Sequence, residues 1–478
     1  MNNATTAQRP ADSPRSTPTQ PPGPPRRWWG LPLMRSMRAD YLGFTSGLHR
    51  QYGDMVHMRL GPERTYDLFT PELVREALVD NADGLIRWQR GIEVFEEVFG
   101  QSVLVTEGAL WQRQRRMLQP AFSPKRVAGY AELMRAAAAD ALEAAVPAGQ
   151  AQATVGMDAL WTRVAMDVIM RTLFSSRASN DARDAAEATQ VLSEMAMREM
   201  YWPFTPPNWL PLPGKAAKRH AMKALRSLVS RHIESRRGDP STNMPSDDLL
   251  AHLMALRDET TGEALSATEI FDQCMVSFQA GHETSATALL WWSRLMAEHP
   301  DAARRACEEV DEVLGERDPS AQDLPALPWL TATLKEAMRL YPPVAAVMTR
   351  RTTREMTLGG WPIPRGALLR ITPWVIQRDP RVYEQPEAFR PERFMPGATP
   401  PPRGAWMPFG AGPRVCIGQH YAMLEMTNVS AMLLQRYTVS LPDGAGPCEP
   451  VMNVTLRPRH GVQLLLARRP SFRNAGVA

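Results

Sequence analysis

The stretch from Phe409 to Gly418, which reads FGAGPRVCIG, decides the fold of this chain. It places one cysteine, Cys416, in a glycine-rich loop directly before an apolar run that is typical of a helix. Glycine lets the backbone approach a large ligand closely. The start of a helix presents free N–H groups and a partial positive charge, which favour a thiolate over a thiol. The stretch predicts a thiolate held in a fixed direction, and the alternative is a structural cysteine in a tight turn.

Length and composition are those of a soluble globular protein with a large core. The chain has 478 residues, of which 44% are hydrophobic and 22% are charged, and its net charge of +4 is too small to indicate nucleic-acid binding. Its four cysteines form no CxxC pair, which argues against a zinc site or a disulfide framework. We see no apolar run of the ~20 residues that a membrane span needs and no signal-peptide core near the N-terminus, so we expect a cytoplasmic protein.

The opening stretch matches the pattern Phe-x-x-Gly-x-Arg-x-Cys-x-Gly at every fixed position. It resembles the haem-binding loop of the cytochrome P450 family. The resemblance implies a mainly α fold with a small β region, and haem b (iron protoporphyrin IX) as the cofactor. It implies that Cys416 is the metal ligand, a proximal thiolate on the haem iron, and that Arg414 contacts a haem propionate. Phe409, Gly410 and Gly418 complete the cofactor-binding loop on the same basis.

A second motif, AGHETS from Ala280 to Ser285, lies midway along a helix predicted over 266–298. Gly281 in a helix interior costs ~1 kcal/mol against alanine, and a flat ligand pressing on the helix would explain it. Thr284 can hydrogen-bond back to a carbonyl and leave a polar notch in an apolar wall. The motif resembles the family's oxygen-activation motif, which implies that Thr284 hydrogen-bonds bound dioxygen and Glu283 relays protons. A polar helix face turned to solvent is the alternative.

A third set of charged residues has a structural role by the same resemblance. Glu336 and Arg339, three apart, share one face of a helix predicted over 328–341. The resemblance implies that they form a buried triad with Arg393 behind the haem, because a planar guanidinium suits bidentate pairing with a carboxylate.

Further arginines are candidates for contacts to the haem propionates. Trp111 and Arg115, four apart on a predicted helix over 110–118, match the family's propionate clamp. Arg350 matches a third propionate arginine, and its neighbour Arg351 stays open as an alternative.

The predicted substrate pocket is almost wholly apolar, which suits a lipophilic guest such as a terpenoid, fatty acid, steroid or polyketide. Part of it comes from the segment 87–105, which roofs the substrate in the family. Plain core packing is the alternative role for these side chains, and Arg87 or Arg90 could bind a carboxylate. The candidate lining residues are Trp88, Phe95, Phe99, Phe278, Ala280, Val344 and Val347.

The resemblance implies a haem-thiolate monooxygenase that inserts one atom of O₂ into a lipophilic small molecule. Electrons would come from a separate ferredoxin or flavodoxin with its NAD(P)H-dependent reductase, and Arg113 and Arg116 could attract an acidic donor. Two alternatives stay open: a haem-thiolate protein of the same fold that does not use O₂, such as a peroxygenase or isomerase, and a haem-binding sensor or carrier. We expect a monomer.

The chain is predicted to be one catalytic domain over 28–470, between a disordered proline-rich tail at 1–27 and a flexible tail at 471–478. Alternation at 54–61 and 66–70 predicts paired strands, and four short strands are expected at 357–361, 368–372, 453–456 and 462–466. Five prolines at 201–213 exclude a helix and indicate either a packed surface loop or a lid over the substrate entrance.

Overall fold

The structure, a computed structural model, describes residues 20–25, 28–177, 180–200, 207, 209–210, 212–238, 248–346 and 348–470. Within these ranges the chain is mainly α-helical with small sheets, as the sequence predicts. The C-terminal tail and most of the N-terminal tail and of the proline-rich segment at 201–213 lie outside the described residues.

Helices account for most of the ordered chain, because apolar side chains recur at helical spacing through most of it. The first eight α-helices are α1 Leu31–Ala39, α2 Tyr41–Tyr52, α3 Pro71–Arg75, α4 Gln89–Phe99, α5 Gly108–Leu118, α6 Pro124–Ala128, α7 Ala131–Glu143 and α8 Met157–Phe174. The next eight are α9 Asn180–Met200, α10 Lys215–Gly238, α11 Leu249–Ala255, α12 Ala267–Glu298, α13 Pro300–Leu314, α14 Pro328–Leu340, α15 Pro373–Ile376 and α16 Gln419–Arg436.

The strands form small separate sheets. They are β1 Met55–Leu60, β2 Glu63–Leu68, β3 Leu85–Arg87, β4 Gln152–Gly156, β5 Met348–Thr352, β6 Met356–Leu358, β7 Trp361–Ile363, β8 Leu368–Ile371, β9 Tyr437–Ser440, β10 Pro450–Met452, β11 Leu456–Pro458 and β12 Gln463–Arg468. The largest sheet has the order β1-β2-β8-β5-β3, and β4-β12-β9 form another. The predicted pairing of the first two strands is confirmed, with Met55 opposite Leu68.

The long helix α12 crosses the core and positions the second motif. Its predicted start is confirmed, because the Ser266 hydroxyl accepts from the Glu269 N–H at 3.2 Å while the Glu269 carboxylate accepts from the Ser266 N–H at 2.8 Å. At 1.5 Å per residue the helix is roughly 48 Å long. Most of its side chains are buried, and α8 packs along it. The polar motif therefore lies in the interior of the molecule.

Several short strands escaped the sequence analysis. β3 and β5 contain arginines, and β3 is only three residues long, so neither shows a strand-like alternation. They form because β5 pairs with β3 on one side and with β8 on the other. After β2 the helix α3 ends at Arg75, and the chain continues as a π-helical turn at Glu76–Asp80. Long-range pairing, which local sequence does not encode, decided these segments.

Candidate functional site

The cysteine loop is held by its own backbone and by the chain segment beneath it. The Cys416 N–H donates to the Phe409 carbonyl at 2.8 Å, and Gly410 has a φ of 79°. Gly412, with a φ of 71°, lies so close to the π-helical turn that a Cβ would be 2.0 Å from the Leu78 carbonyl oxygen. Two glycines are thus required by backbone geometry and by close packing. Together they fix the backbone of the loop that places Cys416 just before α16.

The thiol of Cys416 is accessible to solvent, yet protein atoms surround it closely. Burial raises the pKa of this thiol above its ordinary value. The hydrogen bond from the Gly418 N–H and the positive charge of Arg115 oppose this rise but do not cancel it. The net direction is opposite to the expectation that the helix start would favour a thiolate. Coordination to a metal ion deprotonates a thiol outright, so a bound metal would supply what the polypeptide does not.

Arg414 leads from the cysteine loop into a cluster of arginines. Its guanidinium donates to the Thr106 carbonyl at 2.9 Å, pairs with the Glu107 carboxylate and lies 3.9 Å from the ring centroid of Trp111. Arg414 thus packs against α5, the helix that carries Trp111 and Arg115. Its pKa is lowered to about 10, first by burial and then by Arg350 and Arg115, while Glu107 opposes the shift.

Arg87 and Arg350 extend the cluster, because they face each other across β3 and β5. The Nε of Arg87 is buried without a hydrogen-bond partner and lies 3.9 Å from Glu107. Burial, Arg350 and Arg414 together lower the pKa of Arg87 to about 9. Three guanidinium groups, those of Arg87, Arg350 and Arg414, thus share the single carboxylate of Glu107 among the charges that act on them. Arg115 adds a fourth positive charge, which acts on Arg414. This partly buried excess of positive charge suits an anionic ligand.

Arg350 and Arg351 differ in their surroundings. Arg351 pairs with the Glu63 carboxylate at 2.7 Å and donates to the Gly366 carbonyl at 2.8 Å. Arg350 instead lies half-buried beside Arg87 and lines the cavity. Consecutive side chains on a strand point to opposite faces, so only one of the two can join the cluster.

A mainly apolar cavity of ≈ 230 Å³ adjoins the arginines. Its walls include five predicted lining residues, namely Trp88, Phe95, Phe99, Ala280 and Val344. Val347 lies outside the described residues. The prediction for Phe278 is wrong: this side chain is 1% exposed and packs into the core, because it occupies a different face of α12 from the lining residues. The sequence analysis missed the wall that α9 contributes through Leu192, Ser193, Ala196 and Met200.

The acid and the alcohol of the second motif both line this cavity. The Thr284 hydroxyl donates to the Ala280 carbonyl at 2.8 Å, which confirms the predicted bond. The Glu283 carboxylate is buried and accepts from the Ser193 hydroxyl at 2.7 Å and from the Thr455 hydroxyl at 2.8 Å. A carboxyl group and a hydroxyl group therefore lie side by side at the wall of an apolar chamber.

Two neighbours in the motif have structural roles. A Cβ on Gly281 would lie 3.0 Å from the Ile169 Cδ1, so close packing of α8 is a second reason for a glycine here. The predicted contact between Gly281 and a flat ligand stays a prediction. His282 is buried, its Nδ1 lies 2.7 Å from the Phe278 carbonyl oxygen, and burial lowers its pKa to about 4.

The predicted triad is present. Arg339 forms two hydrogen bonds to the Glu336 carboxylate at 2.7 and 2.8 Å, and both side chains are fully buried. The Nε of Arg393 lies 3.4 Å from the same carboxylate. Arg339 also donates to the backbone carbonyls of Gln377 and Pro386 at 2.8 and 2.7 Å. Its donors are thus fully used within the protein.

The arginines suggested for an electron donor already have acidic partners. Arg113 pairs with Glu269 at 2.6 Å, and Arg116 pairs with Asp258 at 3.2 Å. These pairs reduce the positive charge that the two arginines can offer to a partner.

A larger and more open cleft of ≈ 590 Å³ lies between α13 and residues 389–392 and contains none of the predicted site residues. Within the described ranges, every helix is too short or too polar to cross a bilayer.

Comparison with known proteins places the chain beside one family over nearly its whole length. A family model described as Cytochrome P450 matches residues 21–466. Cyclooctatin synthase from Streptomyces melanosporofaciens is 33% identical over 91% of this chain and 92% of its own. Cyclooctat-9-en-7-ol 5-monooxygenase from the same organism is 32% identical, over 88% and 92% of the two chains. Pentalenene oxygenase from Streptomyces avermitilis is 31% identical, over 90% and 93%.

Proposed function

The chain belongs to the cytochrome P450 family and is a monooxygenase, and we propose that it uses haem b to insert one oxygen atom from O₂ into a terpenoid. The observation that carries this proposal is the buried arginine excess beside an apolar cavity with a carboxyl and a hydroxyl group in its wall. The reaction consumes one substrate C–H bond, one O₂, two electrons and two protons, and yields the hydroxylated product and water.

The residues present fit a haem. The group is flat and largely apolar, carries two propionates and needs one strong protein ligand for its iron. Cys416 would supply that ligand, while Arg414, Arg115, Arg350 and the indole of Trp111 would hold the propionates. Bound haem would supply the electron transfer and oxygen chemistry. Four guanidinium groups against Glu107 and two propionates leave the cluster near neutrality, whereas the polypeptide alone leaves it strongly positive.

Arg87 belongs to this cluster, although the sequence analysis considered it only as a partner for a substrate carboxylate. Its position opposite Arg350 and beside Glu107 supports a role at the propionates instead. The remaining walls of the cavity are then apolar, apart from Glu283, Thr284, their hydrogen-bond partners, Gln279 and Thr349. A chamber of this kind selects hydrocarbon shape and volume rather than charge.

We propose a terpenoid because the chamber is apolar and because two relatives are named for terpenoid substrates. One is named for cyclooctat-9-en-7-ol and another for pentalenene. The work of the chain itself is to exclude water from the substrate, orient it against Ala280 and Val344, and hold a proton at Glu283 beside the Thr284 hydroxyl. We further propose that electrons come from a separate ferredoxin or flavodoxin with its reductase, and that the protein acts as a cytoplasmic monomer.

Two measurements test the proposal. The reduced carbonyl complex should show the red-shifted absorption of a thiolate-ligated haem, and the Cys416→His variant should lose it. With a surrogate ferredoxin, its reductase and NADPH, a panel containing pentalenene, cyclooctat-9-en-7-ol, palmitic acid and progesterone should give product from a terpenoid under ¹⁸O₂, with one labelled atom. Label from water, or turnover by peroxide alone with none by O₂, would contradict the monooxygenase assignment. Oxidation of the fatty acid or steroid alone would overturn the terpenoid class.

A further inference from the structure

The side chain of Glu283 is held by two hydroxyl groups from distant parts of the chain. Its Oε2 accepts from the Ser193 Oγ at 2.7 Å, and its Oε1 accepts from the Thr455 Oγ1 at 2.8 Å. All three side chains are at least 95% buried. Ser193 lies 90 residues before Glu283 and Thr455 lies 172 residues after it. Neither residue belongs to the motif that identified the acid.

The two hydroxyls connect Glu283 to different surroundings. Ser193 lies on α9 between Leu192 and Ala196, which both line the cavity, and α9 packs on α4 at the roof. Thr455 leads the other way, because its hydroxyl accepts from the Nε of Arg457 at 3.4 Å. The Arg457 side chain is 23% exposed, and its terminal nitrogen lies 3.7 Å from Glu283.

A hydroxyl group can accept one hydrogen bond while donating another, whereas a guanidinium keeps its protons at all ordinary pH. Arg457 therefore orients Thr455 and Glu283 without passing a proton itself. The Thr455 hydroxyl accepts from Arg457 and donates to Glu283, so it links the buried acid to the partly exposed guanidinium. Ser193 fixes the other oxygen to the helix that roofs the substrate.

Building on the proposed function, we propose that Ser193 and Thr455 are positioning residues for proton delivery: they hold Glu283 between the roof helix α9 and the solvent-facing Arg457. Productive turnover combines O₂, NADPH, a proton and the substrate C–H bond into an alcohol, water and NADP⁺. When proton delivery is too slow, O₂, NADPH and a proton give H₂O₂ and NADP⁺ instead. Loss of either hydroxyl therefore shifts electrons from product to peroxide.

The test uses the full-length haem-loaded protein with a surrogate ferredoxin, its reductase, NADPH and pentalenene. Ser193→Ala and Thr455→Val should each lower the product formed per NADPH by about five-fold, raise H₂O₂ correspondingly and enlarge the solvent deuterium isotope effect. The Thr455→Ser variant keeps the hydroxyl and should recover most of the coupling. The apparent affinity for pentalenene, read from the spectral shift, should change less than two-fold.

Thr189→Val is the matched control, since Thr189 lies one turn before Ser193 on α9, is equally buried and has no hydrogen-bond partner for its hydroxyl. It should couple like the natural protein. Hydrogen–deuterium exchange of residues 186–197 gives a readout without turnover, and it should rise in Ser193→Ala but not in Thr189→Val.

The outcomes separate this inference from the proposed function. Coupling and exchange in Ser193→Ala and Thr455→Val that equal those of Thr189→Val would overturn the positioning role alone. A natural protein that lacks the thiolate-type carbonyl complex, or that oxidises no member of the panel, would overturn the proposed function first. If pentalenene is not oxidised but another terpenoid of the panel is, that compound replaces it as the probe.

Discussion

Two buried clusters of arginine, one around Glu336 and one around Glu107, differ in their charge balance. Around Glu336, Arg339 uses its donors on the carboxylate and on backbone carbonyls, with Arg393 alongside. Around Glu107, several guanidinium groups share one carboxylate, and the buried Nε of Arg87 has no hydrogen-bond partner. The first cluster is complete within the polypeptide and stabilises the fold. The second has an excess of positive charge within the polypeptide, which supports our proposal that an anionic group is held there.

The largest expected effect on stability comes from breaking the cluster around Glu336. Arg339→Ala leaves the fully buried Glu336 carboxylate without its main partner and should lower the free energy of unfolding by ~3–5 kcal/mol. Urea denaturation and the yield of haem-loaded protein measure the loss. Arg304→Ala is the control, because Arg304 forms an exposed pair with Asp301 and should change stability by less than ~1 kcal/mol. A normal yield of stable Arg339→Ala would show that the two clusters do not differ as argued.

Removing one positive charge from the cluster around Glu107 should affect the haem-free and the haem-loaded protein differently. Arg350→Gln removes one of several mutually repelling charges, so the haem-free protein should be no less stable than the natural one. The haem-loaded protein loses a charged hydrogen bond worth ~1.5–3 kcal/mol, and transfer of haem to apomyoglobin should be ~10-fold faster or more. Unchanged haem loss, together with a destabilised haem-free protein, would make the second cluster structural like the first.

A third buried acid sharpens the comparison, because no cation among the described residues acts on Glu425. Its carboxyl group contacts the Ser285 hydroxyl at 2.7 Å, its other oxygen has no partner, and burial raises its pKa to about 8. Between about pH 4.5 and about pH 8 the unfolded chain ionises this group while the folded chain keeps the proton, so stability falls as the pH rises.

Glu425→Gln should remove that part of the pH dependence. Relative to the natural protein, the free energy of unfolding of the variant should increase from pH 5 to pH 8. The difference should reach on the order of 1–3 kcal/mol at pH 8. Urea denaturation at pH 5, 6.5 and 8 measures the difference. Parallel curves for the two proteins would show that Glu425 is ionised in the folded state.

The smallest effect on stability and on haem transfer is expected for a change at Arg351, the neighbour of Arg350. Arg351→Gln breaks a partly exposed pair with Glu63 on the opposite face of β5 and should change stability by less than ~1 kcal/mol. Haem transfer should keep its natural rate, which makes this variant the matched control for Arg350→Gln. A large rise in haem loss would move Arg351 into the cluster.

Local sequence was enough to predict those parts of the site that depend on spacing along the chain. The capped start of α12, the back-bond of Thr284 and the face shared by Glu336 and Arg339 all follow from helical geometry. Spacing along the chain also shows that Gly281 is small, but not which neighbour requires a small residue. The structure adds Ile169 of α8 as one such neighbour.

By itself, the sequence determined the family, the mainly helical architecture, the cysteine loop and the acid–alcohol motif, because each depends on residues within about ten positions of one another. Only the tertiary structure decided which charges balance. Glu107 meets Arg414 across 307 residues, and Ser193 meets Glu283 across 90. Burial makes these contacts important, because an unpaired charge or a carboxylate without hydrogen bonds costs far more free energy in the interior than in water.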